Sequence, residues 1–357
     1  QIYKLLILRK SRMIKARFES IGAYIPNKRV STESLTQEMN IPPQFDIEAI
    51  TGIKTRSWKE DKDDSYTMAV DAANSCLANS KYNAADLDII ISCSIARFVG
   101  DCNYYEPPMS LFLKQTLGAE KAIFFDVSNA CAGMFTGIYI LESMIKAGIV
   151  KNGLVVSGEY ITTVAETAVL EAKDIYDPQF GSLTVGDAGA AVILDQATDE
   201  NDVIDCFDLL STPEYSDLAI GKPSNESNMY AMYASNSKMH TEERLKIWPN
   251  FQTDMLAKEG KEFKSENFDY IIHHQVGSKF IERLLKVGTE AFLSEQPESL
   301  QVLDEYGNTS STSHFIVLYE YLKANKLKDK SKILMVPAAS GFVTGFLSMN
   351  IHNLAVK

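Results

Sequence analysis

Short apolar runs of strand length alternate with longer helical patterns along this chain, and the alternation, met twice over, most constrains what it can fold into. Ala16–Tyr24 is a β-compatible run closed by the turn signal Pro26-Asn27. A helical spacing over 66–78 leads into the apolar run Leu87–Ser92, a helix over 108–117 into the run 122–127, and a long helical pattern after Ala130 into Gly153–Ser157. Residues 183–194 then join a Gly-rich turn to a buried strand. The later part repeats these units, with strands at 203–210, 269–273, 332–337 and 342–351 and helices at 241–258, 275–287 and 311–324. Apolar strands separated by helices predict sheets covered on both faces. The expected fold class is therefore α/β, as two divergent but similar halves, 13–195 and 196–357.

Between these units, residues 31–50 read as a loop with short helices around Pro42-Pro43, and 160–180 as a variable connection. Residues 212–240, with Pro213, Pro223 and five Met or Tyr side chains from Met229 to Met239, lack a clean period. They read as a long surface excursion, or as a cap facing a substrate.

A chain of 357 residues can bury a large core, and its 45% hydrophobic content is that of an ordinary enzyme. With 35 Lys plus Arg against 47 Asp plus Glu the net charge is −12, which excludes a general nucleic-acid surface but leaves room for a local basic entrance. The five cysteines form no CxxC pair and no secreted framework, so a reducing, cytoplasmic setting is expected. The opening QIYKLLILRKSR is too short in apolar residues to span a membrane. Because Met13 precedes the first core strand, residues 1–12 read as a leader, an expression remnant or a misassigned start.

Three strand-to-helix junctions carry chemistry. In Asp126-Val127-Ser128-Asn129-Ala130-Cys131-Ala132-Gly133-Met134, a cysteine falls in a first helical turn, where free amides and the helix dipole favour a thiolate. In Tyr270-Ile271-Ile272-His273-His274-Gln275, adjacent histidines end a strand; their side chains point opposite ways, and His274 is assigned to the pocket. A two-histidine metal site is the weaker reading, since no third ligand accompanies the pair. In Tyr306-Gly307-Asn308-Thr309-Ser310, an asparagine can donate its NH₂ to a developing oxyanion or can simply cap the helix that follows. Asp187 reads as a turn anchor. His240, His273 and His314 read as structural or surface residues. Cys93 and Cys102 read as filler, and Phe98, Tyr104, Tyr105 and Met109 as tunnel, dimer or core residues.

The order and separation of several motifs resemble the ketoacyl synthase III branch of the thiolase superfamily, from about Met13 to Lys357. They are Gly22 through Pro26, Thr51-Gly52-Ile53-Lys54-Thr55-Arg56, Asn129-Ala130-Cys131-Ala132-Gly133, Gly186-Asp187-Ala188-Gly189-Ala190, His274-Gln275 and Gly307-Asn308-Thr309-Ser310. The resemblance implies a homodimer of thiolase-like, five-layered αβαβα subunits in which Cys131, His274 and Asn308 meet between the halves. It further implies that Cys131 accepts an acyl group from acyl-CoA or an acyl carrier protein, that His274 and Asn308 stabilise an enolate during Claisen condensation, and that no cofactor or metal takes part. The final loop Ala338-Ala339-Ser340-Gly341-Phe342-Val343-Thr344-Gly345 resembles the one whose Gly341 N–H, with that of Cys131, forms the oxyanion hole.

Two departures bear on substrate. Where the housekeeping synthases carry an aromatic and a basic residue that grip coenzyme A, this chain reads Phe45-Asp46-Ile47-Glu48-Ala49-Ile50. The histidine motif continues Val276-Gly277 rather than Ala-Asn, and Glu106-Pro107 precedes a helix. Both resemble the long-chain acyl-CoA condensing enzymes of olefin biosynthesis, where a glutamate from the dimer partner is the base of non-decarboxylative condensation. Glu106 is the matching candidate; its alternative is an exposed first-turn residue favoured by the helix dipole. A noncatalytic acyl-binding subunit of a heteromeric synthase is the reading from a different class.

Overall fold

The computed structural model describes residues 14–41 and 43–356; the expectations for residues 1–12 and Pro42 lie outside them. One sheet contains β1 (Ala16–Tyr24), β2 (Ile89–Ser92), β3 (Ile123–Asp126), β4 (Asn152–Glu159) and β5 (Ala188–Gln196), in the order β1-β5-β4-β2-β3. The second contains β6 (Val203–Ser211), β7 (Tyr270–His273), β8 (Glu298–Ser299), β9 (Ser331–Val336) and β10 (Val343–Ile351), in the order β6-β10-β9-β7-β8, with Ala338–Ala339 also pairing with β10. In each sheet the first two pairings are antiparallel and the last two parallel. The two halves therefore share one topology, and the α/β expectation holds.

The helices that matter for the site are α1 (Ser65–Asn79), α2 (Met109–Leu117), α3 (Gly133–Lys146), α4 (Thr163–Glu171), α5 (Ile247–Lys258), α6 (Ser278–Phe292) and α7 (Ser313–Lys323). Period-2 alternation assigns the faces of the first sheet. Ile89, Ile91, Val155, Val192 and Leu194 pack inward against α3 and α7, while Ile90, Leu154, Val156 and Ile193 pack outward against α1 and α2. In the second sheet Ile272, Met335 and Leu347 face the same central helices, and Ile271, Leu334 and Phe346 face α5. This makes five layers, helix on sheet on helix on sheet on helix. Helix α3 is buried on the spacing Met134, Ile138, Leu141, Ile145, and α7 along the run Phe315-Ile316-Val317-Leu318, because both lie between two sheets. Each such side chain contributes about 1.5–3 kcal/mol of burial, against about 1–2 kcal/mol for ordering its backbone.

Three connections differ from the sequence reading. Residues 160–180 contain α4, whose small and β-branched residues give little amphipathic signal. The stretch 212–240 contains an antiparallel hairpin, Ala219–Pro223 with Tyr230–Ala234. The helical stretch at 241–258 is broken into Glu242–Leu245 and α5, and it is less polar than its composition implies, since α5 buries Trp248 and Leu256. No helix among the described residues is long and apolar enough to cross a membrane.

Candidate active site

Two tight turns face each other where the halves meet. The first, Ala130–Ala132, delivers Cys131 to the head of α3; the second, Ser310–Thr312, stands at the head of α7. Each opens on a non-glycine residue with left-handed backbone, Ala130 at φ 45° and Ser310 at φ 57°. Such residues cost about 1–3 kcal/mol each and persist only where the surroundings impose them. Between the turns, the Cys131 Sγ lies 3.6 Å from the Ser310 Oγ.

Cys131 is half-buried. Burial pushes its thiol up to about 11, the Ser310 hydroxyl opposes this, and the negative charge of Glu159 adds to it. The expected helix-end stabilisation of a thiolate is thus overridden by burial: the cysteine rests as a thiol, and α3 begins only at Gly133. Cys131 packs against Ala339 and Val343, so the final loop adjoins the sulfur. Gly341 in that loop is exposed with φ 87°, a conformation that glycine adopts without strain.

Asn308 is held by the opposite half. Its N–H donates to the Thr184 carbonyl at 2.9 Å, and its own carbonyl accepts from the Gly186 N–H at 3.0 Å. A Cβ on Gly186 would lie 2.1 Å from the Tyr306 carbonyl oxygen, so only glycine allows this approach. The Asn308 Oδ1 accepts from the Ser310 N–H at 3.0 Å, which leaves its Nδ2 with no partner among the described residues. Asp187, next in the Gly-rich motif, is fully buried and accepts from the Thr162 hydroxyl and the N–H groups of Lys59, Ile161 and Thr162. It is an anchor.

The two adjacent histidines diverge. His273 faces the outer layer, its ring edge-on to Trp248 at 5.2 Å, and neither ring nitrogen is hydrogen-bonded among the described residues. His274 lies parallel to His314 at 5.6 Å, and its Nδ1 is 2.8 Å from the Ser313 Oγ. Its Nε2 has no partner among the described residues, and its ring lines a narrow cavity with Arg244, Phe280, Ala338, Phe342 and Thr344. Burial, the neighbouring His314 and the Arg244 charge lower His274 to about 3, so it is a neutral imidazole near pH 7. Arg244 is only 7% exposed; its guanidinium lies 4.1 Å over the Phe342 ring and donates to the Met239 carbonyl.

One six-residue segment, Asn308–Ser313, therefore contacts the cysteine through Ser310 and the histidine through Ser313, and supplies the asparagine itself. Glu106 is elsewhere: it lies exposed on the chain's surface, with no side-chain hydrogen bond or ion pair among the described residues. Its reading as a first-turn residue fails, because α2 starts at Met109 after Pro108, and Asp126 instead accepts from the Met109 and Ser110 N–H groups. Phe45 and Asp46 are occupied locally, Phe45 edge-on to Phe180 and Asp46 capping a short helix through the Ala49 N–H. Ser310, Ser313, Arg244 and Glu159 went unread in the sequence. The five consecutive hydroxyl residues 309–313 and a carboxylate ending an apolar strand were the available signals. Among the described residues no cluster of three His, Cys, Asp or Glu could hold a metal ion.

The chain is similar to known proteins over most of its length. Residues 125–212 match the family model 3-Oxoacyl-[acyl-carrier-protein (ACP)] synthase III, and residues 259–351 match its C-terminal model, together more than half of the chain. A beta-ketoacyl-[acyl-carrier-protein] synthase III of Clostridium novyi is 27% identical over 347 residues, covering 93% of this chain and 98% of that protein. The crystal structure of 3-oxoacyl-[acyl-carrier-protein] synthase III from Aquifex aeolicus superposes with TM-score 0.75 at 22% identity, covering 94% of this chain and 99% of the other. A crystal structure of OleA from Xanthomonas campestris gives TM-score 0.79 at 19% identity, covering 95% and 98%. The chain belongs to the 3-oxoacyl-[acyl-carrier-protein] synthase III family of the thiolase superfamily, and is a condensing acyltransferase.

Proposed function

We propose that this enzyme carries an acyl group on Cys131 and joins it to a second thioester by decarboxylative Claisen condensation, a reading supported by relatives named beta-ketoacyl-[acyl-carrier-protein] synthase III. The observation that carries the reading is the Asn308–Ser313 segment, which touches the sulfur and the imidazole while leaving the Asn308 Nδ2 and His274 Nε2 without a partner among the described residues.

In the first half-reaction the Cys131 sulfur attacks the donor thioester of coenzyme A or a carrier protein. The backbone N–H groups of Cys131 and Gly341 receive the tetrahedral oxyanion, and the carrier thiol departs with the proton the cysteine gave up. In the second, loss of CO₂ from a malonyl-type thioester leaves an enolate whose oxygen accepts from Asn308 Nδ2–H and His274 Nε2–H. A neutral imidazole with Nδ1 bound by Ser313 can present that proton at Nε2. The enolate carbon attacks the acyl-Cys carbonyl, and the Cys131 thiolate leaves.

A second reading, direct joining of two long-chain acyl-CoAs, is favoured by the unpaired, exposed carboxylate of Glu106 ahead of α2. It requires a homodimer in which Glu106 of the partner subunit removes an α-proton. The exposed Ile123 on the edge strand β3, 50% accessible, supports a second copy there.

Intact-mass measurement after incubation with acetyl-, malonyl- and long-chain thioesters tests the proposal. Acyl mass is expected on the wild type and not on Cys131→Ala, with CO₂ released once per condensation. Labelling that persists in Cys131→Ala would overturn the nucleophile.

A further inference from the structure

The carboxyl of Glu159, fully buried at the end of β4, touches neither the cysteine nor the cavity, yet it is joined to the turn beside them. Its Oε1 is in hydrogen-bond contact with the Ser157 hydroxyl, 2.9 Å away, and with the Ser311 hydroxyl, and Ser157 and Ser311 are themselves 2.9 Å apart, oxygen to oxygen. The Ile95 N–H points at both carboxyl oxygens from 3.3 Å. Ser311 follows Ser310, whose hydroxyl meets the Cys131 sulfur.

Three oxygens in mutual contact form three O···O pairs, and each pair needs a hydrogen. The two serines supply one each. If Glu159 were ionised, one pair would set lone pair against lone pair in a buried site. A proton on the carboxyl completes the ring, each oxygen donating once and accepting once.

We propose that Glu159 is a positioning residue held as a neutral carboxylic acid, which fixes the 310–313 turn through Ser311 and keeps the ground beneath Cys131 free of negative charge while its thiolate forms. The charges that reach the Glu159–Cys131 pair fit this assignment. Asp187, ahead of β5, bears on Glu159 and raises it, and Glu159 in turn raises Cys131 and Cys93. No Lys, Arg or His among the described residues pairs with it. Burial first, then Asp187, raise the carboxyl to about 7 against the serine and Ile95 donors, so the acid form is present up to neutrality. Above that, the ionised carboxylate makes the thiol harder to ionise.

The inference rests on Cys131 being the reactive thiol, and its test uses no acyl substrate, so it reads out independently of the condensation. Alkylation of Cys131 by iodoacetamide is followed on its own peptide by mass spectrometry across pH, in the wild type and in Glu159→Gln, a neutral isostere. The two are expected to react alike at about pH 6, with the variant about threefold or more faster at about pH 8 and above. Infrared spectra should also show a protonated carboxylic acid in the wild type near neutrality that the variant lacks. Coincident alkylation profiles, or no such infrared band, overturn the proposal. If Glu159→Gln does not fold, the wild type alone decides. A break in the logarithmic rate profile at about pH 7 supports the assignment, and an unbroken unit slope overturns it.

Discussion

The N–H of Gly186 donates to the carbonyl of Asn308 across 3.0 Å, and this bond between the halves fixes where the asparagine side chain stands. Gly186 can come this close because it has no Cβ; an added one would sit 2.1 Å from the Tyr306 carbonyl, which is backbone and cannot swing aside. Gly186→Ala is therefore expected to destabilise the protein by about 1–3 kcal/mol, the cost of overpacking. It should also slow condensation more than acylation of Cys131, because in the proposed mechanism Asn308 serves the second thioester. Thermal unfolding paired with separate assays of the two half-reactions checks this. Wild-type stability with an unchanged condensation rate would contradict it.

Ser313 holds the imidazole of His274 through its Nδ1 at 2.8 Å, and no other described residue hydrogen-bonds that ring. Ser313→Ala leaves a buried ring nitrogen unpaired, at a cost of about 1–3 kcal/mol, and frees the ring to change tautomer. Acylation of Cys131, which in the proposed mechanism does not need the His274 Nε2 proton, should stay within a few-fold, while condensation falls by about tenfold or more. An equal loss in both steps would show that Ser313 only supports the fold.

Sheets and central helices were legible because strands buried on both faces read as short unbroken apolar runs: Ile89, Ile90 and Ile91 are apolar throughout yet alternate between layers. The junctions carrying Cys131 and His274 were legible because each ends an apolar run in small or polar residues, and that of Asn308 because small and hydroxyl residues precede a helix. The hairpin 219–234 was not, since its first strand is almost entirely exposed and has no buried face to mark. The contacts that make the site were not legible either. Cys131 and Ser310 lie 179 residues apart, Glu159 and Ser311 152 apart, and no local pattern records pairings at such separation. The sequence also hid Arg244, a buried cation whose neighbours are aromatic rather than acidic.

Stability should depend on pH through the buried histidines. His273 and His274 are lowered by burial to about 3 and His314 to about 4, all below the ordinary 6.5, so the unfolded chain binds more protons than the folded one in this window. Their contribution is full above about pH 6.5 and is lost as pH falls toward 3–4. Glu159 and Asp187, raised to about 7 and about 6, act oppositely: their burial costs more as pH rises through those values. Among the described residues His273 has no hydrogen bond to lose, so His273→Leu should remove its share cleanly. Denaturant titrations at about pH 7 and pH 5 should show the acid-induced loss reduced by on the order of 1–2 kcal/mol in the variant. An equal loss in both proteins would mean that His273 is protonated in the folded state.

Glu106 separates the two condensation chemistries. When CO₂ leaves a malonyl-type thioester, the electron pair of the broken bond becomes the enolate, and no base is required. When two long-chain acyl-CoAs are joined, an α-proton must be removed, and general base catalysis at that step supplies about 10²–10⁴-fold. Glu106→Gln keeps the size of the side chain and cannot take the proton. With malonyl thioesters, product formation in the variant should remain within about threefold of wild type, with one CO₂ per product, whereas direct joining should fall by about 100-fold. Because Glu106 is exposed and has no side-chain partner among the described residues, neither rate change is expected from a lost contact with them. A malonyl-dependent rate that collapses with Glu106→Gln would place this carboxylate in the decarboxylating site, against the mechanism proposed above.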